Sequence, residues 1–263
     1  MPETVTQFDR LWPDPGQVSP TELRETYLST WPDSRDGAVA MMISSLDGSA
    51  VLDGVSGGLS SPADQLLMDL LRSVADVVVV GAGTLRDEGY GGLTVSEDSV
   101  AWRTTHGMDE HPTLAVVSAA LDLSVDTPFL AQAPTRPIIF TGPDAPVDKV
   151  RELTEVADVV VLGSGPGADP ELIHDHLADR GYRRVVCEGG PTLLSRWFAA
   201  ERVAELHLSL APALTGGGGQ RIVHDDIQDD ATGQPGTARH TELLQVLRDG
   251  SMLMLRQRVL AES

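Results

Sequence analysis

The chain has 263 residues, of which 41% are hydrophobic and 22% charged, enough to bury a full core as one large α/β domain or two small ones. Its 19 lysines and arginines against 39 aspartates and glutamates give a net charge of −20, so it lacks the basic stripe that a nucleic-acid or anionic-membrane surface requires. Cys187 is the one cysteine, which excludes an intrachain disulfide and a cysteine-based zinc site; with a polar Met1 to Arg10 and no apolar run of membrane-spanning length, a cytoplasmic protein is expected.

Residues 1–36 carry Pro13, Pro15, Pro20 and Pro32 with little periodicity beyond a brief helical stretch near Thr21 to Thr30. They read as an arm against the domain or an oligomer neighbour, and residues 37–263 as the domain itself. Strands are expected at Ala38 to Ser44, Asp76 to Val80, Thr113 to Ser118, Pro137 to Thr141, Ala157 to Leu162, Arg183 to Glu188 and Glu205 to Leu210. Their continuous Val/Ile/Leu content points to a sheet covered on both faces.

Helical patterns alternate with these strands. Ser61-Pro62-Ala63-Asp64 supplies an N-cap, a proline at the first helical position and an acid in the first turn, and Leu66, Leu67, Leu70, Leu71 and Val74 follow at helical spacing. Asp169 to Gly181, Pro191 to Ala200 and a shorter Val147 to Val156 are further helices. Such alternation implies crossover connections and a largely parallel sheet. The tail differs: Glu242 to Arg248 and Ser251 to Val259, joined by Asp249-Gly250, read as an antiparallel hairpin at the sheet edge.

Three motifs close predicted strands: Ser45-Leu46-Asp47-Gly48, Val80-Gly81-Ala82-Gly83-Thr84, and Glu188-Gly189-Gly190-Pro191-Thr192. Ligands of open α/β sheets bind beyond the carboxyl ends of the strands, and a glycine-opened helix N-terminus there suits a phosphate. By residue chemistry alone, Glu188 is a solvent-facing strand-end acid or a functional one, and Asp47 is a turn former or a site residue. Arg72 is a solvated helix arginine or a bidentate phosphate holder. Gly81 and Gly83 do not open a dinucleotide fingerprint, because Arg86 stands where its last glycine belongs. The Gly163 to Gly167 loop either wraps an adenosine or simply connects, and Gly216 to Gly219 either approaches a ligand or turns the chain. His174 and His176, two apart on a helix, diverge, and His207 alternates with Leu206 and Leu208 as a packed strand residue, so no metal site is expected.

In order and spacing these motifs, with Leu71-Arg72, Val186-Cys187 before Glu188, and Leu210-Ala211-Pro212-Ala213-Leu214, resemble the reductase domain of the bifunctional riboflavin-biosynthesis deaminase/reductase, here in stand-alone form. The likeness runs from about Gly37 to Val259. It implies a three-layer α/β/α dihydrofolate-reductase-like fold around a central mixed, mostly parallel sheet, with the C-terminal antiparallel hairpin. It also implies NADPH as cofactor and reduction of 5-amino-6-(5-phosphoribosylamino)uracil, with hydride delivered to the ribosyl C1′ and an acid within hydrogen-bond reach. Asp47 and Glu188 are then the catalytic carboxyls, and Ser56, Arg72 and Glu188 the substrate ligands. Ser44, Gly58, Gly81, Gly83, Thr84, Glu88, Ser118, Gly189, Gly190, Pro191, Thr192 and Leu193 would surround the cofactor. The family is commonly dimeric, and an open hairpin edge with Leu253 and Leu255 adds to the expectation of a homodimer.

The chain also departs from that pattern. The deaminase half is absent, Ser49 replaces a basic residue, Ser56-Gly57-Gly58 replaces Ser-x-Trp, and no arginine near Gly92 to Val95 matches a substrate-phosphate ligand. Two alternatives follow: reduction of another pterin or pyrimidine, dihydrofolate included, or a catalytically silent NADPH-binding protein.

Overall fold

The valine run Val77 to Val80 divides between two cores, and that division fixes the layering of the molecule. In the computed structural model, which describes residues 7–33, 36–165, 167–216, 219–223 and 239–260, Val78 and Val80 join one apolar cluster and Val77 and Val79 the other. Successive side chains of a strand point to opposite faces, so a strand apolar at every position must be covered twice.

The elements follow in chain order. A hairpin of β1 (Phe8–Trp12) and β2 (Gly16–Val18) leads through α1 (Pro20–Ser29) to β3 (Ala38–Ser45), α2 (Pro62–Val74) and β4 (Val77–Gly81). Next come α3 (Ala82–Asp87), α4 (Glu97–Thr105), β5 (Thr113–Val117), α5 (Pro128–Ala131), β6 (Ile138–Thr141), α6 (Val147–Leu153) and β7 (Asp158–Val161). The chain continues through α7 (Pro170–Asp179), β8 (Val185–Cys187), α8 (Pro191–Ala199), β9 (Val203–Ala211), β10 (Thr241–Asp249) and β11 (Met252–Val259).

Among the described residues these strands form one sheet in the order β2-β1-β10-β11-β9-β3-β8-β4-β5-β6-β7. Pairing is parallel from β9 through β7 and antiparallel from β9 back to β2. The expected three-layer, mixed and mostly parallel arrangement is therefore present. Leu67, Leu70, Leu71 and Val74 of α2 fill one face with Leu23 and Tyr27 of α1, while Ile173, Leu177, Leu194 and Trp197 of α7 and α8 fill the other.

The N-terminal segment packs against the domain, with α1 where the helical stretch was expected. Its described residues add two strands and a helix: β1 pairs with β10, Phe8 is fully buried, and Arg248 Nη2 donates to Asp9 Oδ2 at 2.6 Å. The C-terminal hairpin is consequently internal rather than at the edge, because β1 takes up the free side of β10. The open-edge argument for a dimer falls with it.

The short α3, α4 and α5 have no counterpart among the expected elements. α4 is polar nearly throughout and buries only Ser99 and Arg103, so no apolar period marks it. Its Arg103 is nonetheless 2% exposed, and Nη1 donates to the carbonyls of Arg72, Ser73 and Ala75 at 3.2, 2.9 and 2.6 Å. Those carbonyls lie at the C-terminal end of α2, where the helix runs out of its own amide donors. The α2 start matches expectation, with Ser61 Oγ accepting from the Asp64 amide and Pro62 in the first turn.

Candidate active site

A cleft of about 420 Å³ opens beyond the carboxyl ends of β3, β4 and β8, walled by α2 and by the start of α8. Its centre is Glu188, which immediately follows β8 and is 8% exposed. Arg72, in the last turn of α2, donates Nε to Glu188 Oε1 at 2.6 Å and Nη2 to Oε2 at 2.7 Å. Tyr90 donates its hydroxyl to the same Oε2 at 3.1 Å, and the Arg72 guanidinium lies 5.6 Å from the Tyr90 ring centroid. All these contacts are donated to Glu188, so it acts as an acceptor here.

The surroundings tune both donors. Burial alone would lower the Arg72 pKa, but the charge and hydrogen bonds of Glu188 outweigh it and raise the pKa. Burial first, then the Glu188 charge, pushes the Tyr90 hydroxyl well above the ordinary tyrosine range, so it keeps its proton.

Beside this triad lies a glycine-lined cradle. Gly81 donates its amide to the Gly189 carbonyl at 2.7 Å, and Gly190 caps α8 with no side-chain hydrogen bond to the first-turn amides. A Cβ built on Gly190 would stand 2.5 Å from Thr84 Oγ1, whereas one on Gly83 would meet nothing within 4 Å. A helix N-terminus, approached closely only because glycine has no side chain, fits the pyrophosphate of a dinucleotide. Pro191 also lines the cleft; Leu193 is 7% exposed and packs in the core, so its backbone alone can serve a ligand.

The model of the RibD C-terminal domain family matches residues 38–255. The chain belongs to this family. A 2,5-diamino-6-ribosylamino-4(3H)-pyrimidinone 5′-phosphate reductase of Archaeoglobus fulgidus is 28% identical over 159 residues, 60% of this chain and 72% of that protein. Its namesake in Methanothermobacter thermautotrophicus is 29% identical over 185 residues, 68% and 79% of the two chains. Among solved structures, a pyrimidine reductase-like protein of Corynebacterium diphtheriae superposes with a TM-score of 0.76 at 22% identity, covering 91% of this chain and 99% of that one. The Thermotoga maritima deaminase/reductase gives 0.65 at 18% identity, over 90% and 59%. These two likenesses concern the fold.

In this RibD C-terminal domain the expected site residues separate into two groups. Ser56, Arg72, Thr84, Glu88, Glu188, Gly190 and Pro191 line the cleft, with Gly81 and Gly189 directly behind the last two. Thr192, in the first turn of α8, is exposed. Glu88 is occupied in a way the motifs did not foretell: it accepts from the Ser56 amide at 2.6 Å and the Gly57 amide at 3.4 Å, fastening the 56–58 turn over the cleft.

Asp47, Gly58, Ser44 and Ser118 lie outside the cleft lining. Asp47 is exposed and outside the cleft lining, and accepts from Ser45 Oγ at 2.6 Å, the Thr215 amide at 3.0 Å and the Gly216 amide at 2.9 Å. The Ser45 hydroxyl, then these amides, hold its carboxyl far below the usual range. It clamps the 45–49 turn to the segment after β9 and carries no proton to donate. A Cβ on Gly58 would press on Leu52 at 3.0 Å, so Gly58 packs against the loop rather than facing the cleft. Ser44 donates to the adjacent Ser45 carbonyl and Ser118 accepts from the Leu121 amide, so both hydroxyls serve their own turns.

Gly219 shows why the glycine run after β9 exists. A Cβ there would fall 1.9 Å from Ser49 Oγ, and this approach lets the Gln220 carbonyl accept from Ala50 and places Gln220 at the cleft. Residues 217–218 of that run, and Pro166 of the 163–167 loop, lie outside the described residues. His207 is buried as expected, its ring edge-on to Tyr27 at 5.2 Å, and burial lowers its pKa well below the ordinary value. Tyr90, Asp64 and Gln220 are among the lining residues the motifs missed. Tyr90 stands among Gly89, Gly91 and Gly92, where an isolated aromatic in a loop was the only signal.

Proposed function

We propose that the chain is an NADPH-dependent reductase of a phosphorylated ribosylaminopyrimidine in riboflavin biosynthesis, adding hydride to the ribosyl C1′. The observation that carries this reading is the Arg72–Glu188–Tyr90 triad standing against the Gly189–Gly190 cradle in one cleft, so a pyrimidine acceptor and a dinucleotide support are adjacent. The family match and the two curated relatives named as reductases of such a compound support it.

The residues divide the work. The amides after Gly190 and the Thr84 hydroxyl hold the cofactor, which when bound supplies the hydride. Glu188, fixed in orientation by two Arg72 donors, accepts from an exocyclic amino group of the pyrimidine. Tyr90 supplies a third fixed donor and closes the wall against water. Because Arg72 is committed to Glu188, it orients the carboxylate rather than clamping a phosphate.

A second reading has its own support. No lysine and no arginine other than Arg72 lines the cleft among the described residues, which favours a substrate without a 5′-phosphate, such as dihydrofolate. NADPH consumption with the ribosylaminopyrimidine phosphates and with dihydrofolate separates the two. Turnover of a phosphorylated ribosylaminopyrimidine supports the first reading; turnover confined to dihydrofolate replaces it.

The enzyme is further proposed to be cytoplasmic and homodimeric. No helix among the described residues is long and apolar enough to cross a membrane. Leu208, Leu255, Val246 and Trp12 are successive cross-strand partners, with Trp12 53% exposed, and this apolar row suits a second copy. Light scattering near the 28.0 kDa monomer mass would reject the dimer.

A further inference from the structure

Asp64, Met68 and Arg72 recur at i, i+4 and i+8 on α2 and all line the cleft. Arg72 is matched to Glu188; Asp64 has no such partner. It is 6% exposed, its Oδ2 accepts from Ser60 Oγ at 2.6 Å, and its Oδ1 is buried with no donor among the described residues. A buried acceptor left without a donor is costly and uncommon, and a carboxylate can be satisfied only by donors.

The rest of the lining sharpens the demand. Asp87 and Glu88 add two more carboxylates, Glu88 already satisfied by backbone amides, and the single guanidinium is spent. The cleft therefore offers acceptors to a ligand that brings donors.

We propose that Asp64 reads the C2 edge of the substrate, pairing with the 2-amino group and the adjacent ring N–H of a 2-aminopyrimidin-4-one, so that the 2-amino substrate is taken in preference to its 2-oxo, uracil-type counterpart. This rests on the reductase reading given above and adds to it the substituent at C2 and the residue that selects it. Two neighbouring N–H donors match the two oxygens of a carboxylate, as in other bidentate pairs. The terminal torsion of aspartate is broad, so a small rotation presents Oδ1 to the cleft while the ligand takes over Oδ2 from Ser60, which lines the cleft too. A uracil places its C2 carbonyl against the same carboxylate, acceptor facing acceptor, and is selected against.

The test separates recognition of the base from turnover. The full chain, with and without NADP⁺, is titrated calorimetrically with 2,5,6-triaminopyrimidin-4-one and with 5,6-diaminouracil, which differ at C2 and carry no sugar or phosphate. The triaminopyrimidinone should bind roughly 10- to 100-fold more tightly, the worth of a hydrogen-bonded pair to a charged group. Asp64→Asn, which retains an acceptor for Ser60, should reduce that preference to about twofold, and Asp64→Ser should do the same. Equal affinities, a preference for the uracil, binding of neither base, or a preference that survives both substitutions would overturn the assignment. Turnover of the two ribosyl phosphates is measured in parallel. Base preference without turnover of either rejects the proposed reaction but upholds Asp64; turnover without base preference does the reverse.

Discussion

Arg72 and Glu188 are 116 residues apart in sequence, yet Nε and Nη2 of the one meet both carboxylate oxygens of the other at 2.6 and 2.7 Å. Their side chains are 13% and 4% exposed, so the pair is shielded from water and closes the cleft between α2 and β8. Replacing Glu188 with Gln keeps its shape but removes its charge and one acceptor contact to Arg72. Turnover should fall on the order of 10²- to 10³-fold, as when a fixed electrostatic contact is lost from a site, while NADPH affinity stays close to wild type. Steady-state kinetics and NADPH fluorescence titration of E188Q check both halves.

The same pair makes a stability prediction. Arg72→Met leaves a buried carboxylate without its counter-charge and should cost about 3–5 kcal/mol, whereas R72M/E188L, which removes both charges, should recover most of it. Denaturant unfolding of the two singles and the double measures the coupling. Equal losses in the single and the double would show that volume rather than charge controls the site.

Gly190→Ala inserts a methyl 2.5 Å from Thr84 Oγ1. The start of α8 or Thr84 must shift, and either moves the amides from the pyrophosphate. NADPH affinity should drop at least about tenfold, as for a lost charged hydrogen bond, with little change in the melting temperature. Thr84→Ala in the G190A background removes the clashing hydroxyl and should return part of the affinity.

Asp47 predicts an acid-dependent signature away from the chemistry. Its folded pKa is depressed by the Ser45 hydroxyl and then by the Thr215 and Gly216 amides, so its stabilisation is fully present above its unfolded pKa of about 4 and is lost as pH falls further toward the folded value. The melting-temperature difference between wild type and Asp47→Ala should be constant near neutrality and shrink below that pH. Turnover of D47A under saturating substrate should remain, since the carboxylate lies outside the cleft.

Phe8 tests whether the N-terminal hairpin belongs to the fold. It is fully buried in the core under β1, and Phe8→Ala should cost about 3–5 kcal/mol. Thermal unfolding reads this directly. A loss under about 1 kcal/mol, the range of exposed substitutions, would mean that residues 1–36 add little to the domain.

Much of this protein is local information. The apolar runs at Val77 to Val80 and Ile138 to Thr141, the Ser61-Pro62 helix start and the Gly189-Gly190-Pro191 turn specify strands, a capped helix and an amide cradle because backbone propensity, capping and glycine geometry act within a few residues. Glu188 was legible there as a candidate at a strand end, whereas Arg72, Thr84 and Ser56, which line the same cleft, came from the family resemblance. The N-terminal strands were not, since Phe8 to Val18 has too few residues and too many prolines to show a period, and its pairing with β10 joins the two ends of the chain. Nor was α4, whose buried residues are the polar Ser99 and Arg103.

The roles of the site residues were a tertiary matter. Sequence alone pointed to the ends of β3, β4 and β8 and the starts of α2 and α8, because those choices depend on neighbours along the chain. How Glu188 is held, whether Asp47 faces the cleft or clamps a turn, and whether Arg72 is free for a phosphate depend on groups brought from α2, the loop after α3 and the segment after β9. Charge and hydrogen-bond partners act through space over a few ångströms, and only the folded sheet determines which groups come within that range.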